Sequence, residues 1–510
     1  MKESKCKKYI KGSIHKEVIA VVGLLLLVEI ILGAFFTDGF GAVMSKMTYV
    51  VGDNFGWWIN LCAMFAVIFG LGIILFRYGD IRIGGDDAKP DYTNWQWISI
   101  SICGGIGCGL LFWAMGEPMY HFMNTPIASG ITPETRDAAV FAVGQTMFDW
   151  SFVQYFIYAI PAVVFTLLSY NSKKPLSFRS LVEEVTGKDR IWLTTLLHIL
   201  CGVCVASGVS NSMGAGMLQI SGGLNIVFGL EQNSQLFLFI AVFLATFFIL
   251  SCLSGINKGL TYVSSICMVC FVFLMVFVLF VGNTELIGKL SVESFGNLFD
   301  NFFGKITYNN AFVPQDQWAN EWPITFWNSF FIYAPIIAMF LSRMGKGRTV
   351  REFLLVEIFV PSLFCCLFIG IFSSAMIDMQ ISGTVDIWES VQTLGMQTAI
   401  YQVLGQMPGG TIIQIMFIIT IALSFVTLAD PNTSALATLC VHGQEIDEEP
   451  PKKIKILIGI TISIVAYLLV ISGGMDSIKG LLNVGGLIMT VPTVWLFLSL
   501  PKIASKHLKK

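Results

Sequence analysis

The chain has 510 residues, 55% of them hydrophobic and only 13% charged, with a mean hydropathy of +0.74. Soluble globular proteins carry about 25% charged residues, so this composition excludes a single water-solvated globule and makes lipid the solvent for much of the surface. The net charge of −2 is divided among short clusters between apolar runs, which leaves no surface suited to nucleic acid.

A helix needs about 20 apolar residues to cross a bilayer, and lipid offers no partner to backbone polar groups, so such runs read as helices. They are predicted over residues 18–37, 55–76, 95–123, 138–170, 191–220, 235–254, 259–282, 322–343, 351–376, 410–440, 453–473 and 480–500. No cleavage site follows the first run, which reads as a retained helix. With the N-terminus inside and the spans alternating, 26 of the 31 lysines and arginines lie inside. Lys46, Arg136, Lys289, Lys305 and Lys479 then lie in outside loops. The positive-inside rule thus supports twelve spans in a bacterial inner membrane with both termini cytoplasmic. The lysine-rich tails suit anionic lipid heads, and no soluble domain is expected. Two outside stretches, 285–321 and 378–409, contain amphipathic patches that read either as interfacial helices or as ordered loops.

In chain order, the first chemical feature is Gly104-Gly105-Ile106-Gly107-Cys108-Gly109 in span 3. Each glycine weakens a helix by roughly 1 kcal/mol relative to alanine. Such a segment either packs helices closely or opens the backbone toward a solute. Glu117, following Phe112-Trp113, is expected near the outer interface. In span 4, Tyr155 and Tyr158 fall about 140° and 80° from Trp150 at 100° per residue, which puts all three on one side of a continuous helix. Asp149 and Gln154 lie beside them, and an intramembrane carboxylate is a functional candidate.

Span 8 carries Phe326, Phe330 and Tyr333 at i, i+4 and i+7, one helical stripe, flanked by Trp327; Ser329 and Pro335 allow a bend. Facing rings from spans 4 and 8 suit a quaternary ammonium, which has no hydrogen-bond donor and is held by π faces at about 0.5–2 kcal/mol each. In span 10, Ser424, Thr427, Asp430, Pro431 and Asn432 form either an oxygen-rich break suited to ion or proton coupling or a proline kink whose loose backbone groups neighbouring side chains satisfy.

Nothing supports catalysis. The five histidines form no metal pair, there is no HExxH motif, and Gly345-Lys346-Gly347-Arg348-Thr349 lacks the spacing of a phosphate loop. The twelve cysteines sit mostly in apolar runs, and Cys201-Gly-Val-Cys204 reads as small packing residues. A channel would conduct without saturation or trans-stimulation, and a lipid-directed enzyme would need a polar cluster at an interface.

At these residues, over about 15–500, the sequence resembles the betaine/carnitine/choline transporter (BCCT) family. The glycines of span 3 with Phe112-Trp113 and Glu117-Pro118, the aromatics of span 4 at +5 and +8 from Trp150, and Gly214 to Asn225 carry the likeness. Ser254-Gly255-Ile256-Asn257-Lys258-Gly259, the run Arg343 to Arg351, and Ala429-Asp430 carry it too.

The resemblance implies an all-α polytopic membrane protein of about 12 helices with two inverted five-helix repeats, a LeuT-like fold. Its divisions are 1–94 (tail and spans 1–2), 95–284 (spans 3–7), 285–321 (outer amphipathic connection), 322–501 (spans 8–12) and 502–510 (basic tail). It implies a homotrimer and secondary transport of a quaternary-ammonium solute of the carnitine, betaine or choline type. The solute would be bound by Trp150, Tyr155, Tyr158, Phe330 and Tyr333, with Trp327 lining or backing the site and the backbone of Gly105, Gly107 and Gly109 at its other end.

The sequence departs from the family's W-x-W-W signature of span 8: only Trp327 remains, with Ser329 and Phe330 in the other places. Asp149 replaces the family's histidine and would add charge for a cation or carry a proton. Sodium-coupled members have Thr-Ser where this chain has Thr427-Leu428, which favours sodium-independent exchange. Cys267 stands where the sodium-independent exchanger has an arginine. Asp149, Ser424, Thr427 and Asp430 are the candidates for coupling or charge sensing; the alternative is a sodium- or proton-coupled importer of another amine or amino acid. No metal or organic cofactor is implied.

Overall fold

The computed structural model describes residues 12–106, 109–254, 259–313 and 315–508. The described residues are helical apart from connections, with two isolated bridges, Ile14 to Val441 and Arg82 to Thr349, in place of sheet. This is what a bilayer requires of a chain whose backbone must be paired within each segment.

Spans 1 and 2 are Lys16–Phe35 and Thr37–Leu75. They are joined at Phe36 alone, so 38–54, which the sequence leaves between two spans, is helical as well. Span 3 is the pair Asn94–Ile106 and Gly109–Met123, whose axes differ by 56°. Span 4 is also a pair, Arg136–Asp149 and Phe152–Thr166, where the sequence predicts one helix. Spans 5 to 10 are Ile191–Phe228, Ser234–Ser254, Thr261–Val281, Pro323–Leu341, Val350–Ile381 and Gly410–Leu439. The last helical run, Lys452–Ala504, is 53 residues long. At 1.5 Å per residue that is about 80 Å, far more than a bilayer's thickness. It is broken at Gly473 and Gly474, where Gly474 has φ 56° and ψ −129°, a conformation that side chains other than glycine's rarely adopt. The halves, 452–472 and 475–504, are spans 11 and 12, and the described residues thus contain the twelve spans expected.

The two amphipathic outer stretches are helices: Thr284–Phe299 with Phe302–Ile306, and Ile387–Leu394. Side-chain caps fix their starts, Asn283 on the Leu286 amide and Asp386 on the Glu389 amide. Both ends of the described chain lie at one face of the bundle. The Gly12 amide donates to the His442 carbonyl, 2.9 Å, and His507 meets Ser172 at 3.1 Å. Lys174 and Lys506 both pair with Glu184 at that face.

Burial sorts the spans. The most apolar stretch of the helix pair in span 4 is wholly buried and that of span 8 is 94% buried, against 17% for span 1 and 28% for span 6. Spans 4 and 8 are the centre of the bundle, and spans 1 and 6 turn apolar side chains outward, where only lipid can solvate them.

Candidate functional site

A cavity lies between spans 3, 4, 5, 8, 10 and 12. Its wall from span 4 is Trp150, Gln154 and Tyr158, and from span 8 Thr325, Phe326, Ser329, Phe330 and Tyr333. Gly105, Gly109 and Trp113 of span 3, Asn211, Ser212 and Ala215 of span 5, and Leu428 of span 10 complete the sides. Met475, Ile478, Lys479 and Leu482 of span 12 close it. It measures about 70 Å³, narrow enough that its rings nearly meet.

The rings are arranged edge to face. Trp150 stands 5.2 Å from Phe326 and 5.7 Å from Phe330, at 67° and 79°, and Tyr158 stands 6.2 Å from Phe330 at 83°. Hydrogen bonds fix them. The Trp150 indole N–H donates to Glu117 Oε2 at 2.8 Å. The Tyr333 hydroxyl bonds the Gly208 carbonyl and lies 2.7 Å from Ser212 Oγ. Gln154 Nε2 donates to the Gly105 carbonyl at 3.1 Å, occupying an acceptor at the end of the first half of span 3. At Gly109 a Cβ would lie 2.9 Å from Trp150 Cη2, so the ring's position requires glycine there. Gly104 is a packing glycine of the same kind, its Cβ position 2.7 Å from Phe340 Cε1.

Of the residues that the sequence singles out, Gly105, Gly109, Trp150, Tyr158, Phe330 and Tyr333 are brought to the cavity; Gly107 lies outside the described residues, as do 255–258 of the Ser254 to Gly259 motif. Tyr155 is not on the wall. Its hydroxyl lies 3.4 Å from Cys365 Sγ, toward span 9. The break at Trp150–Ser151, where Ser151 has φ −120° and ψ −122°, resets the helical phase and cancels the predicted common face. Trp327 also stays off the wall: it is fully buried against Phe148, 5.7 Å between ring centres, and backs Phe330 at 6.0 Å. The Ser329 hydroxyl turns back to the Phe326 carbonyl, 2.7 Å.

Glu117 is not near an outer interface but wholly buried, as are His121 and Asp149. One ligand-type atom from each of the three lies within 4.8 Å of the others. Glu117 and Asp149 thus bring two carboxyl groups together in a core that water does not reach. Gln145 Nε2 donates to both Asp149 oxygens, each 3.1 Å. The connection between spans 7 and 8 adds Lys305, whose ammonium burial pushes down to about 8 against the pull of Asp149 and Asp300. The trio has the donors for a metal ion, although the indole and amide hydrogen bonds already occupy three of its four carboxylate oxygens.

Span 10 is one helix through Pro431, so the oxygen-rich break is not formed. Thr427 Oγ1 donates to the Ser424 carbonyl (2.8 Å) and approaches that of Cys103 (3.2 Å), and Asn432 Nδ2 donates to the Leu428 carbonyl (2.8 Å): the kink is satisfied locally. Asp430 Oδ2 accepts from Ser251 at 2.6 Å, away from the cavity. A hard cation requires a shell of oxygens. Around Thr427 the neighbours include the thiols of Cys103 and Cys267, the latter bonded to Cys103 and Ser424, while Leu428 turns an apolar side chain to the cavity. Among the described residues, thiols thus stand beside the carbonyl and hydroxyl oxygens at Thr427.

Sequence reasoning missed the contributions of spans 5 and 12. Asn211 and Ser212 sit inside an unremarkable apolar run, but Lys479 left a signal: a lone lysine five residues after Gly474, the start of a helix that the expected boundary at 480 cut off.

The sequence profile of the betaine/carnitine/choline family transporters matches residues 17–509. The chain belongs to that family. Among BCCT relatives, the ectoine/hydroxyectoine transporter of Virgibacillus pantothenticus is 28% identical over 98% of each chain. The glycine betaine transporter OpuD of Bacillus subtilis is 29% identical over 93% of this chain and 91% of its own. The osmo-dependent choline transporter BetT2 of Acinetobacter baylyi is 26% identical over 94% of this chain and 69% of its own. As a BCCT protein the chain is a multi-pass membrane transporter and not an enzyme.

Proposed function

We propose that the protein carries a quaternary-ammonium solute of the betaine, carnitine or choline class by alternating access, with the ammonium held among Trp150, Tyr158, Phe326, Phe330 and Tyr333. The observation that carries this reading is the cavity at the junction of spans 4 and 8, whose wall carries the five rings of Trp150, Tyr158, Phe326, Phe330 and Tyr333. These replace water around a permanent positive charge, and several together offset its desolvation. The names of the relatives, which cover glycine betaine, choline and ectoine, support the solute class. Tyr155 and Trp327 support the wall from behind, and Gly105 and Gly109 face the solute's other end. Two inverted repeats, 95–284 and 322–501, a homotrimeric assembly in lipid, and cytoplasmic termini in a bacterial inner membrane belong to the same reading.

The thiols beside Thr427 and the apolar Leu428 support sodium-independent exchange. The nearness of Glu117 to Asp149, with Glu117 bonded to the Trp150 indole, favours a second reading, proton-coupled uptake: a proton gained or lost by the pair would pull on a ring of the cage. Uptake of labelled glycine betaine, carnitine and choline into proteoliposomes tests both. Exchange requires solute on the far side and ignores sodium; proton coupling makes uptake into empty vesicles follow an imposed pH gradient. If none of the three solutes enters or exchanges, the transport assignment to this class is wrong.

A further inference from the structure

The proposed cage accounts for the ammonium end of a solute but leaves two polar groups on the same cavity unexplained. Lys479 stands one turn into span 12, and its Nζ lies over two rings, 4.6 Å from the centre of Trp322 and 5.4 Å from that of Trp113. Among the described residues no carboxylate oxygen lies within 4.0 Å of it. The acids near enough to act on it are Glu321, Asp476 and Glu117, of which Glu321 accepts from Tyr49 and Glu117 from Trp150, both at 2.8 Å. Asn211 is 2% exposed, and among the described residues neither its Nδ2 nor its Oδ1 has a hydrogen-bond partner. A buried amide left unpaired is costly and calls for an oxygen from elsewhere.

We propose that Lys479 and Asn211 form the receptor for a carboxylate, so that the cavity selects zwitterions over simple cations. This rests on the reading of the cavity as a cage for a methylated ammonium. Trp322, Trp113, Phe326 and Trp150 follow one another at 5.8, 5.3 and 5.2 Å, so Lys479 stands at one end of a row of rings and the cage at the other. A solute with charges of both signs meets a complement at each end. A cation such as choline satisfies the rings but leaves its charge facing an ammonium in a site that water screens poorly.

Lys479 and Met475 also line a second hollow of about 340 Å³, bordered by Tyr49, Glu321, Gln397 and Asp476, on the face of the bundle away from the termini. A solute entering from that face passes the lysine first, so selection acts at entry. The carboxylate would draw the ammonium off the two tryptophans, freeing their faces.

The test is tryptophan-fluorescence titration of the purified full-length protein with glycine betaine, carnitine, ectoine and choline, for the parent, Lys479→Arg, Lys479→Gln and Asn211→Ala. The parent is expected to bind the carboxylated solutes at least tenfold tighter than choline. K479Q should lose at least tenfold for these and nothing for choline, K479R should retain most of the affinity, and N211A should lose a few-fold for the carboxylated solutes. Choline bound as tightly as glycine betaine by the parent, or K479Q weakening all four equally, overturns the proposal while the cage stands. K479Q tightening all four also overturns it, since the lysine would then only occupy a ring site. Failure of all four to bind the parent removes the cage and this inference together. If K479Q does not remain monodisperse, the parent's own ratio and N211A decide.

Discussion

Spans 4 and 8 face each other across the cavity and are buried to nearly the same degree, yet they supply their rings in different ways. Span 8 is one uninterrupted helix from Pro323 to Leu341, and its i, i+4, i+7 stripe delivers Phe326, Phe330 and Tyr333 to one wall. Span 4 is interrupted at Trp150 and Ser151, and each half has its own phase. Trp150 reaches the cavity because it ends the first half and is held by Glu117; Tyr158 reaches it from the second half, and Tyr155 does not. The same residue types at helical spacing therefore mean different things on an intact helix and on a broken one. In span 8 the rings share one backbone phase, whereas in span 4 the break sets two phases and a hydrogen bond to buried Glu117 holds Trp150.

Matched deletions separate the two. Trp150→Leu removes both a ring and the donor to Glu117. Solute binding is expected to weaken roughly 30-fold, about 2 kcal/mol for a desolvated ring contact, and stability to fall by about 1–3 kcal/mol as Glu117 loses its partner. Phe330→Leu removes a ring and no donor. It should weaken binding about tenfold and cost less stability than Trp150→Leu, at most about 1.5 kcal/mol of lost packing. Titration and thermal unfolding of both variants check this; equal stability losses would mean that the indole hydrogen bond does not distinguish the spans. Gly109→Ala has a smaller effect. Its Cβ would press on Trp150, which the Glu117 bond keeps from retreating, so binding should weaken a few-fold, at about 1 kcal/mol of overpacking. Combined with Trp150→Leu the glycine change should cost almost nothing, since the crowded ring is gone; full additivity would remove the contact from the account.

The spans were legible in the sequence because lipid enforces a simple rule, twenty apolar residues with their backbone paired internally, and the distribution of lysine and arginine tested it independently. The stripe of span 8 was legible for the same reason, as periodicity on an intact helix. The break at Ser151 was not: no proline or glycine marks it, and it depends on partners from spans 3 and 8 that only the fold supplies. Glu117 looked like an interfacial acid because it precedes a proline near the end of a run; its burial depends on Trp150 and His121 arriving beside it. Lys479 was assigned to a loop because the Gly473–Gly474 break hides where span 12 begins. In each case the residue's place was decided by contacts that other spans supply, Trp150 for Glu117 and Trp322 for Lys479.

The smallest effect bears most directly on the comparison. If span 4 were continuous, the Tyr155 hydroxyl would share the cavity with Tyr158, and Tyr155→Phe would cost a solute contact. In the broken span the partner of that hydroxyl among the described residues is Cys365 Sγ at 3.4 Å, a weak pair with a thiol, and the ring edge lies behind Gly105, 3.3 Å from where a Cβ would stand there. Tyr155→Phe is therefore expected to change solute affinity by less than about twofold and stability by at most about 0.5–1 kcal/mol, the low end for a neutral hydrogen bond. A tenfold loss of binding with unchanged unfolding would put the hydroxyl on the solute, restore a single phase from Trp150 to Tyr158, and leave the two spans alike.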